Sequence, residues 1–202
     1  MISKYTHQNL TWVDLESPTP EEISALIEEY NLNPLIASEL ENPTLRAKID
    51  PYPKSVFLVL HFPTRNRTTG HIQETEVDFV LLPNLLITTH YEFIDPLHDF
   101  AKAFELGDYL SQQRTDFHEG TLFYFALREL YKHTLFILET VEHEVHEIEK
   151  QIFKGKEAKM VAELSRVNRS VIDIRQSLRY HKDTLAVFAR SSKEFYLSLI
   201  HI

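Results

Sequence analysis

The 202-residue chain contains no cysteine. Disulfide staples, thiolate nucleophiles and Cys-based zinc sites are excluded, and any metal chemistry has to come from His, Asp and Glu. Glycine occurs four times, at well-separated positions, which leaves no phosphate-cradling loop, dinucleotide fingerprint or nucleophile elbow. The common enzyme scaffolds thereby lose their support. Long apolar runs are also lacking. Val56 to Leu60, Phe79 to Leu82 and Leu85 to Ile87 fall far short of the roughly 20 residues a membrane helix needs. Met1 to Leu10 places no basic segment ahead of an apolar one, so no secretory leader is expected.

What is present suits one folded body, or one body with an extended helical element. Apolar residues make up 43% of the chain and charged residues 25%, enough for one substantial core and too apolar for disorder. The net charge of −9 is unevenly spread, because residues 154–202 carry ten Lys or Arg against five acids. That segment is a solvated basic helix, or a basic element directed at a phospholipid surface or at acidic helices. The acidic remainder argues against a nucleic-acid partner.

Thr11 to Glu16 alternates as a strand, with Trp12, Asp14 and Glu16 on one face and Val13 and Leu15 on the other. A helix follows, since Thr19 can cap it, Pro20 suits its first position and Glu22 completes a Thr-x-x-Glu capping box. Its expected buried stripe is Ile23, Leu26, Ile27 and Tyr30. A second short helix begins at Pro34 and carries Leu35 to Leu40. Three β segments follow, Val56 to Phe62, Glu76 to Leu82 and Leu85 to His90, the last two joined through Pro83-Asn84 as a hairpin.

After Asp95 the pattern is helical, with a polar break from Gly107 to Glu119. Two long helices flank the Lys154-Gly155-Lys156 break. In the first, Leu138, Val141, Val145, Ile148 and Ile152 recur at steps of three and four. In the second, Leu164, Val167, Val171, Ile174, Leu178, His181, Leu185 and Phe188 do the same. Such spacing makes a narrow seam for helix-on-helix packing. The residues thus specify an α/β head over 1–118 and a long antiparallel helix pair over 119–202. The last helix shows no stop signal before Ile202, and its far end needs a symmetric partner or a continuation.

Seven segments in order resemble the CorA magnesium-transporter family: Thr11-Trp12-Val13-Asp14-Leu15, Pro18 to Ile23, Tyr30 to Leu35, Arg46 to Ile49, Val56 to Leu60, Leu86 to His90 and the pair of long helices. The resemblance implies an α+β fold whose head is an α/β/α sandwich with a mixed sheet. It implies that the last helix is a stalk, cut short at Ile202, that runs toward the membrane and lines the pore of a homopentamer. The family's transmembrane helices and its Gly-Met-Asn pore motif are absent. What the family then implies is a cytoplasmic regulatory and assembly domain of a divalent-cation channel at the inner face of the cell membrane, and not an enzyme.

In that family, acids on the short helix after the Pro-Leu step form regulatory Mg2+ sites with carboxylates of the neighbouring stalk. Carried over, the acidic pair falls on Ser38 and Glu39, so one carboxylate is kept. A further family acid falls on Arg128, and the facing stalk acid lies past Ile202. The expectation is that Arg128 pairs with Glu39, within or between subunits, and partly replaces the ion. The alternative is that Glu39 is an ordinary exposed helix acid. Lys132-His133 also departs from the family's acids.

A second candidate metal face lies further along the same helix. Glu139 and His143, Glu142 and His146, and His143 and Glu147 each lie one turn apart, a spacing that can present ligands to Zn2+ or Co2+. The seam points the other way, so a solvated acidic face is the plainer reading. His181 sits on the seam itself, where burial would depress its pKa. Eleven histidines keep a zinc-transporting branch of the superfamily in view. A soluble helical adaptor and a hydrolase built on His143 and His146 are the remaining alternatives.

Overall fold

Alternation along the strands sorts the apolar residues onto two faces of one sheet, and helices cover both. The computed structural model describes residues 1–105 and 118–200, the last nine as helix backbone alone. The 107–117 part of the expected polar break lies outside the described residues. The elements are β1 (Ile2–His7), β2 (Leu10–Glu16), α1 (Pro20–Tyr30), α2 (Pro34–Leu40), β3 (Lys48–Tyr52), β4 (Ser55–Arg65), β5 (Ile72–Leu82), β6 (Leu85–His90), α3 (Asp95–Glu105), α4 (Glu119–Ile152), α5 (Glu157–Leu178) and α6 (His181–Ile200).

The sheet has the order β1-β2-β6-β5-β4-β3. It is mixed, because β2 and β6 run parallel while every other neighbouring pair is antiparallel. The Pro83-Asn84 turn joins β5 to β6, and Leu82 pairs with Leu85 across it. Asn84 takes the left-handed conformation that a two-residue hairpin turn demands. β1 and β3 were not foreseen. Both are edge strands with few buried apolar residues, and polar edges lack the alternation by which a half-buried strand is read.

On one face α1 and α2 cover Val13, Leu15, Phe57, Val59, Val80 and Ile87 with Ile23, Leu26, Ile36 and Leu40. On the other, α3 and the first half of α4 cover Trp12, Leu58, Leu60, Phe79, Leu81 and Leu86 with Phe100, Phe104, Leu122, Phe123 and Ala126. The head is therefore an α/β/α sandwich. The boundary expected at residue 118 separates elements and not cores, because α4 belongs to the head's core through Leu130. Trp12, fully buried, stacks between Tyr5 and Phe100.

The second half of α4, at about 1.5 Å per residue, carries the chain to a reversal at Phe153 to Lys156, where Gly155 has φ of 76°. α5 returns along it and is held by Ile137, Val141, Ile148, Val167 and Ile174, with Ile72 from β5. Glu144 reinforces this, accepting from Arg65 of β4 and Arg166 of α5, each at 3.1 Å. The buried stripe of α4 runs through Ile137 and not the expected Leu138, which is 38% exposed. On α5 the seam is half covered: Val167 and Ile174 are buried, while Leu164 and Val171 are about half exposed. Ser170 and Ser177 take the remaining buried positions, and these small side chains let α5 approach closely.

The last two helices were expected as one. Arg179 N–H instead bonds the carbonyl of Gln176, a tightened turn, before α6 begins at His181. The first turns of α6 lie against the head, with Phe188 stacked on Phe123 at 4.9 Å.

The Thr19 capping box is fully formed. The Thr19 hydroxyl accepts from Glu22 N–H at 3.2 Å and the Glu22 carboxylate accepts from Thr19 N–H at 2.9 Å. Thr19→Ala should lower stability by about 1 kcal/mol, seen as a shifted urea midpoint with an unchanged slope.

Candidate functional site

Strand register places Lys48, Val59, Asp78, Thr89 and Leu15 in one row across β3, β4, β5, β6 and β2. This row faces α1 and α2. Lys48, brought under α2 by that register, takes Glu39 at 2.7 Å and Asp50 at 3.2 Å. Glu39, the carboxylate expected at a regulatory metal site, is thus neutralised by a lysine. Ser38 is turned back on its own helix, its hydroxyl donating to the Leu35 carbonyl at 2.8 Å.

Arg128 does not supply that charge within the chain. It pairs with Glu129 at 3.0 Å and lies over the Phe125 ring on its own helix, while α2 covers the opposite face of the sheet. Lys132 joins the same Glu129 at 2.9 Å. The face of Glu139, Glu142, His143, His146 and Glu147 is mostly solvent-exposed. His146 Nδ1 meets the Glu142 carbonyl at 2.9 Å and Glu147 pairs with Lys150 at 2.6 Å. Among the described residues no group of three or more His, Asp or Glu is arranged to hold a metal ion.

Two polar networks inside the head were not anticipated. The first centres on Asp78, 1% exposed among the apolar side chains of that row. No N–H or hydroxyl among the described residues reaches either of its oxygens, and Glu76 Oε1 and Thr89 Oγ1 are buried in the same condition. Burial first, and then the adjacent Glu76 charge, hold the Asp78 carboxyl well above the usual range. As carboxylates the two are both acceptors, so only a proton on one of them lets them bond. Glu76 Oε2 also accepts from Thr44 N–H at 2.6 Å and lies 3.4 Å from His61 Nε2. Burial opposes charge on His61, yet its bonds to Glu76 and to the Thr44 carbonyl, with the charge of Glu74, raise its pKa.

The second network lies on the opposite face. Trp12 Nε1 donates to Thr88 Oγ1 at 2.9 Å, and that hydroxyl donates to Asp14. His90, 3% exposed, has Nε2 3.3 Å from Asp14 and Nδ1 2.6 Å from the Glu92 carbonyl. Both ring nitrogens face acceptors, which the imidazolium satisfies. Burial works against that charge, and the Asp14 bond and charge outweigh it, raising the pKa.

At the base of α6, His181 is 5% exposed. Its Nε2 lies 2.7 Å from the His61 carbonyl, which can only accept, so Nε2 carries the proton. Nδ1 is left to accept from the Tyr131 hydroxyl at 2.6 Å. Burial pushes the His181 pKa down to about 4 and the Tyr131 hydroxyl up to about 12. The expectation of a packed seam histidine is met, and its two partners define one neutral tautomer.

The chain belongs to the family of CorA-like Mg2+ transporter proteins, whose model matches residues 7–198. The magnesium transporter ALR2 of Saccharomyces cerevisiae is 20% identical over 191 residues, which are 91% of this chain and 21% of that protein. The complete CorA magnesium transporter of Methanocaldococcus jannaschii shares the fold with a TM-score of 0.77 at 17% identity, over 92% of this chain and 57% of that one. The ZntB cytoplasmic domain of Vibrio parahaemolyticus gives 0.72 at 15% identity, over 96% and 75%. The chain thus spans about a fifth of its yeast relative. No helix among the described residues is long and apolar enough to cross a membrane.

A carboxyl whose pKa rises on folding keeps its proton in the native state after the unfolded chain has released it. Its stabilisation is complete below the unfolded value of 3.8 and is lost as the pH rises. His90 and His61 act in the same sense above 6.5. Asp78→Asn should therefore flatten the fall in urea stability that sets in as the pH rises above 3.8. An equal loss at every pH would contradict the protonated pair.

Proposed function

We propose that this chain is the regulatory and assembly domain of a CorA-type divalent-cation transporter, on the cytoplasmic face of the membrane. Its role is to gate the pore through contacts between subunits of a homopentamer. The observation that carries the reading is the half-covered seam of α5. Leu164 and Val171 stay about half exposed while Val167 and Ile174 are buried against α4, a pattern suited to packing against a second copy. Family membership over residues 7–198 gives that surface its context. α6 is the stalk in this reading, and the head governs it through the contacts at His181. Relatives in the family are ion transporters, so we assign no catalytic step.

Glu39 is the carboxylate we assign to cation sensing, with Mg2+ as the ion. Lys48 already occupies it at 2.7 Å, so Mg2+ has to displace an ammonium and needs further carboxylates from another subunit. The zinc branch is the second reading, supported by the likeness in fold to ZntB. The His143 and His146 face converges on no ligand set among the described residues, and it is the match to a family of Mg2+ transporter proteins that supports magnesium as the cargo.

Leu164→Glu with Val171→Glu should lower the oligomer mass of the full-length transporter, measured by light scattering, while leaving its helical circular dichroism intact. An unchanged mass would count against the seam as the assembly surface. In calorimetry on the same protein, Lys48→Ala should tighten Mg2+ binding severalfold and Glu39→Gln should abolish it. Equal binding by all three forms would remove Glu39 from the sensing role. Mg2+ flux into proteoliposomes, exceeding Zn2+ flux, tests the cargo.

A further inference from the structure

A cleft of about 600 Å³ opens where α5 ends. Its walls come from three parts of the fold: Leu45 and Arg46 ahead of β3, His61 and Glu74 on β4 and β5, and the stretch from Ile172 to Tyr180. Three arginines converge there. Arg46 and Arg179 sit 6.0 and 5.3 Å from the Tyr180 ring, and Arg175 stands one turn before Arg179. All three are exposed.

None of the three has a carboxylate partner among the described residues. Arg65, Arg67, Arg128 and Arg166 each have one. In a chain with nine more acids than bases, three unpaired guanidiniums drawn to one cleft are positioned against their own repulsion. Glu74 is the one carboxylate of the lining, and it faces His61 at 3.8 Å.

The remaining walls are not those of a simple anion patch. Leu45 is 95% exposed and Ile172 is 53% exposed, and with the Tyr180 ring they offer apolar and aromatic surface beside the three charges. A guanidinium fork recognises phosphate oxygens in a plane, and an aromatic ring stacks on a flat partner. The volume falls in the range of small-molecule sites.

We propose that this cleft binds a nucleotide, its phosphates on Arg46, Arg175 and Arg179 and its base against Tyr180, Leu45 and Ile172. The location gives the site a consequence. Arg46 belongs to the head, whereas Arg175 precedes the tightened turn between α5 and α6 and Arg179 lies in it. A ligand held by all three ties the joint at which α6 begins to the sheet. The inference rests on the fold and the cleft, and stands independently of the transporter reading.

The test is calorimetric titration of the protein with ATP in Mg2+-free buffer, with tripolyphosphate and adenosine as parallel probes. ATP should bind, and Arg175→Ala and Arg179→Ala should each weaken it at least tenfold. Arg169→Ala, on an exposed stretch of the same helix outside the cleft, should leave it unchanged. Affinity should fall steeply with salt, as expected of exposed charges. Failure of ATP to bind, equal weakening by Arg169→Ala, or tripolyphosphate binding as tightly as ATP would each overturn the assignment. Because the substituted side chains are exposed, a matched thermal transition verifies that every variant is folded.

Discussion

The His181 imidazole is the constraint on which the helical half of the molecule depends. Its two ring nitrogens are committed to different elements, one to the Tyr131 hydroxyl of α4 and the other to the His61 carbonyl of β4. The Phe62 and Tyr131 rings meet it edge-on at 5.0 and 5.7 Å. The first residue of α6 is therefore fixed to both the sheet and the helix that covers it. Of the two neutral tautomers, the one with its proton on Nε2 satisfies both partners. What disfavours the imidazolium here is burial, in surroundings that penalise charge. Linked to folding, a drop in pKa from 6.5 to about 4 corresponds to roughly 3 kcal/mol. This stabilisation is present above pH 6.5 and lost as the pH falls toward 4.

The same residue that anchors His181 through its backbone opens onto a different chemistry through its side chain. His61 meets Thr44 and Glu76 on the α2 side of the sheet, beside the protonated pair of Asp78 and Glu76. Lys48, in the same row of the sheet as Asp78, pairs with Glu39 on α2. Polar groups are thus gathered on this face between the short helix that bears Glu39 and the strand that anchors α6, although no hydrogen bond among the described residues joins Lys48 to Asp78. The hydrogen bonds and ion pairs that are made here lie between buried or half-buried groups, where such interactions are strongest and least tolerant of a missing partner.

Much of this architecture was legible from spacing. The capping box at Thr19, the Pro83-Asn84 hairpin, the two faces of β2 and the seam position of His181 all follow from residue types at fixed intervals, and the structure has them where they were read. The misses share a physical cause. β1 and β3 are polar edges that carry no apolar alternation. Leu138 and Ile137 are neighbours on a helix whose partner decides which is buried, and only the packed α5 reveals that choice. The pairing of Glu39 with Lys48 depends on strand register between segments that no local pattern connects. Asp78 did leave a signal. In Glu76 to Leu82 every second residue shares a face, so Asp78 lies with Val80 in a strand apolar on both sides, which marks it as a buried acid. His90 closes a strand buried throughout and could have been read in the same way.

The most direct test of this account is 15N NMR of the His181 imidazole through a pH titration. The structure predicts a neutral ring at pH 7, protonated at Nε2 with Nδ1 as acceptor, and a transition near about 4. A ring that titrates close to 6.5, or that exchanges between tautomers at neutral pH, would show that it is not held between Tyr131 and His61. The attachment of α6 to the head would then have to come from elsewhere.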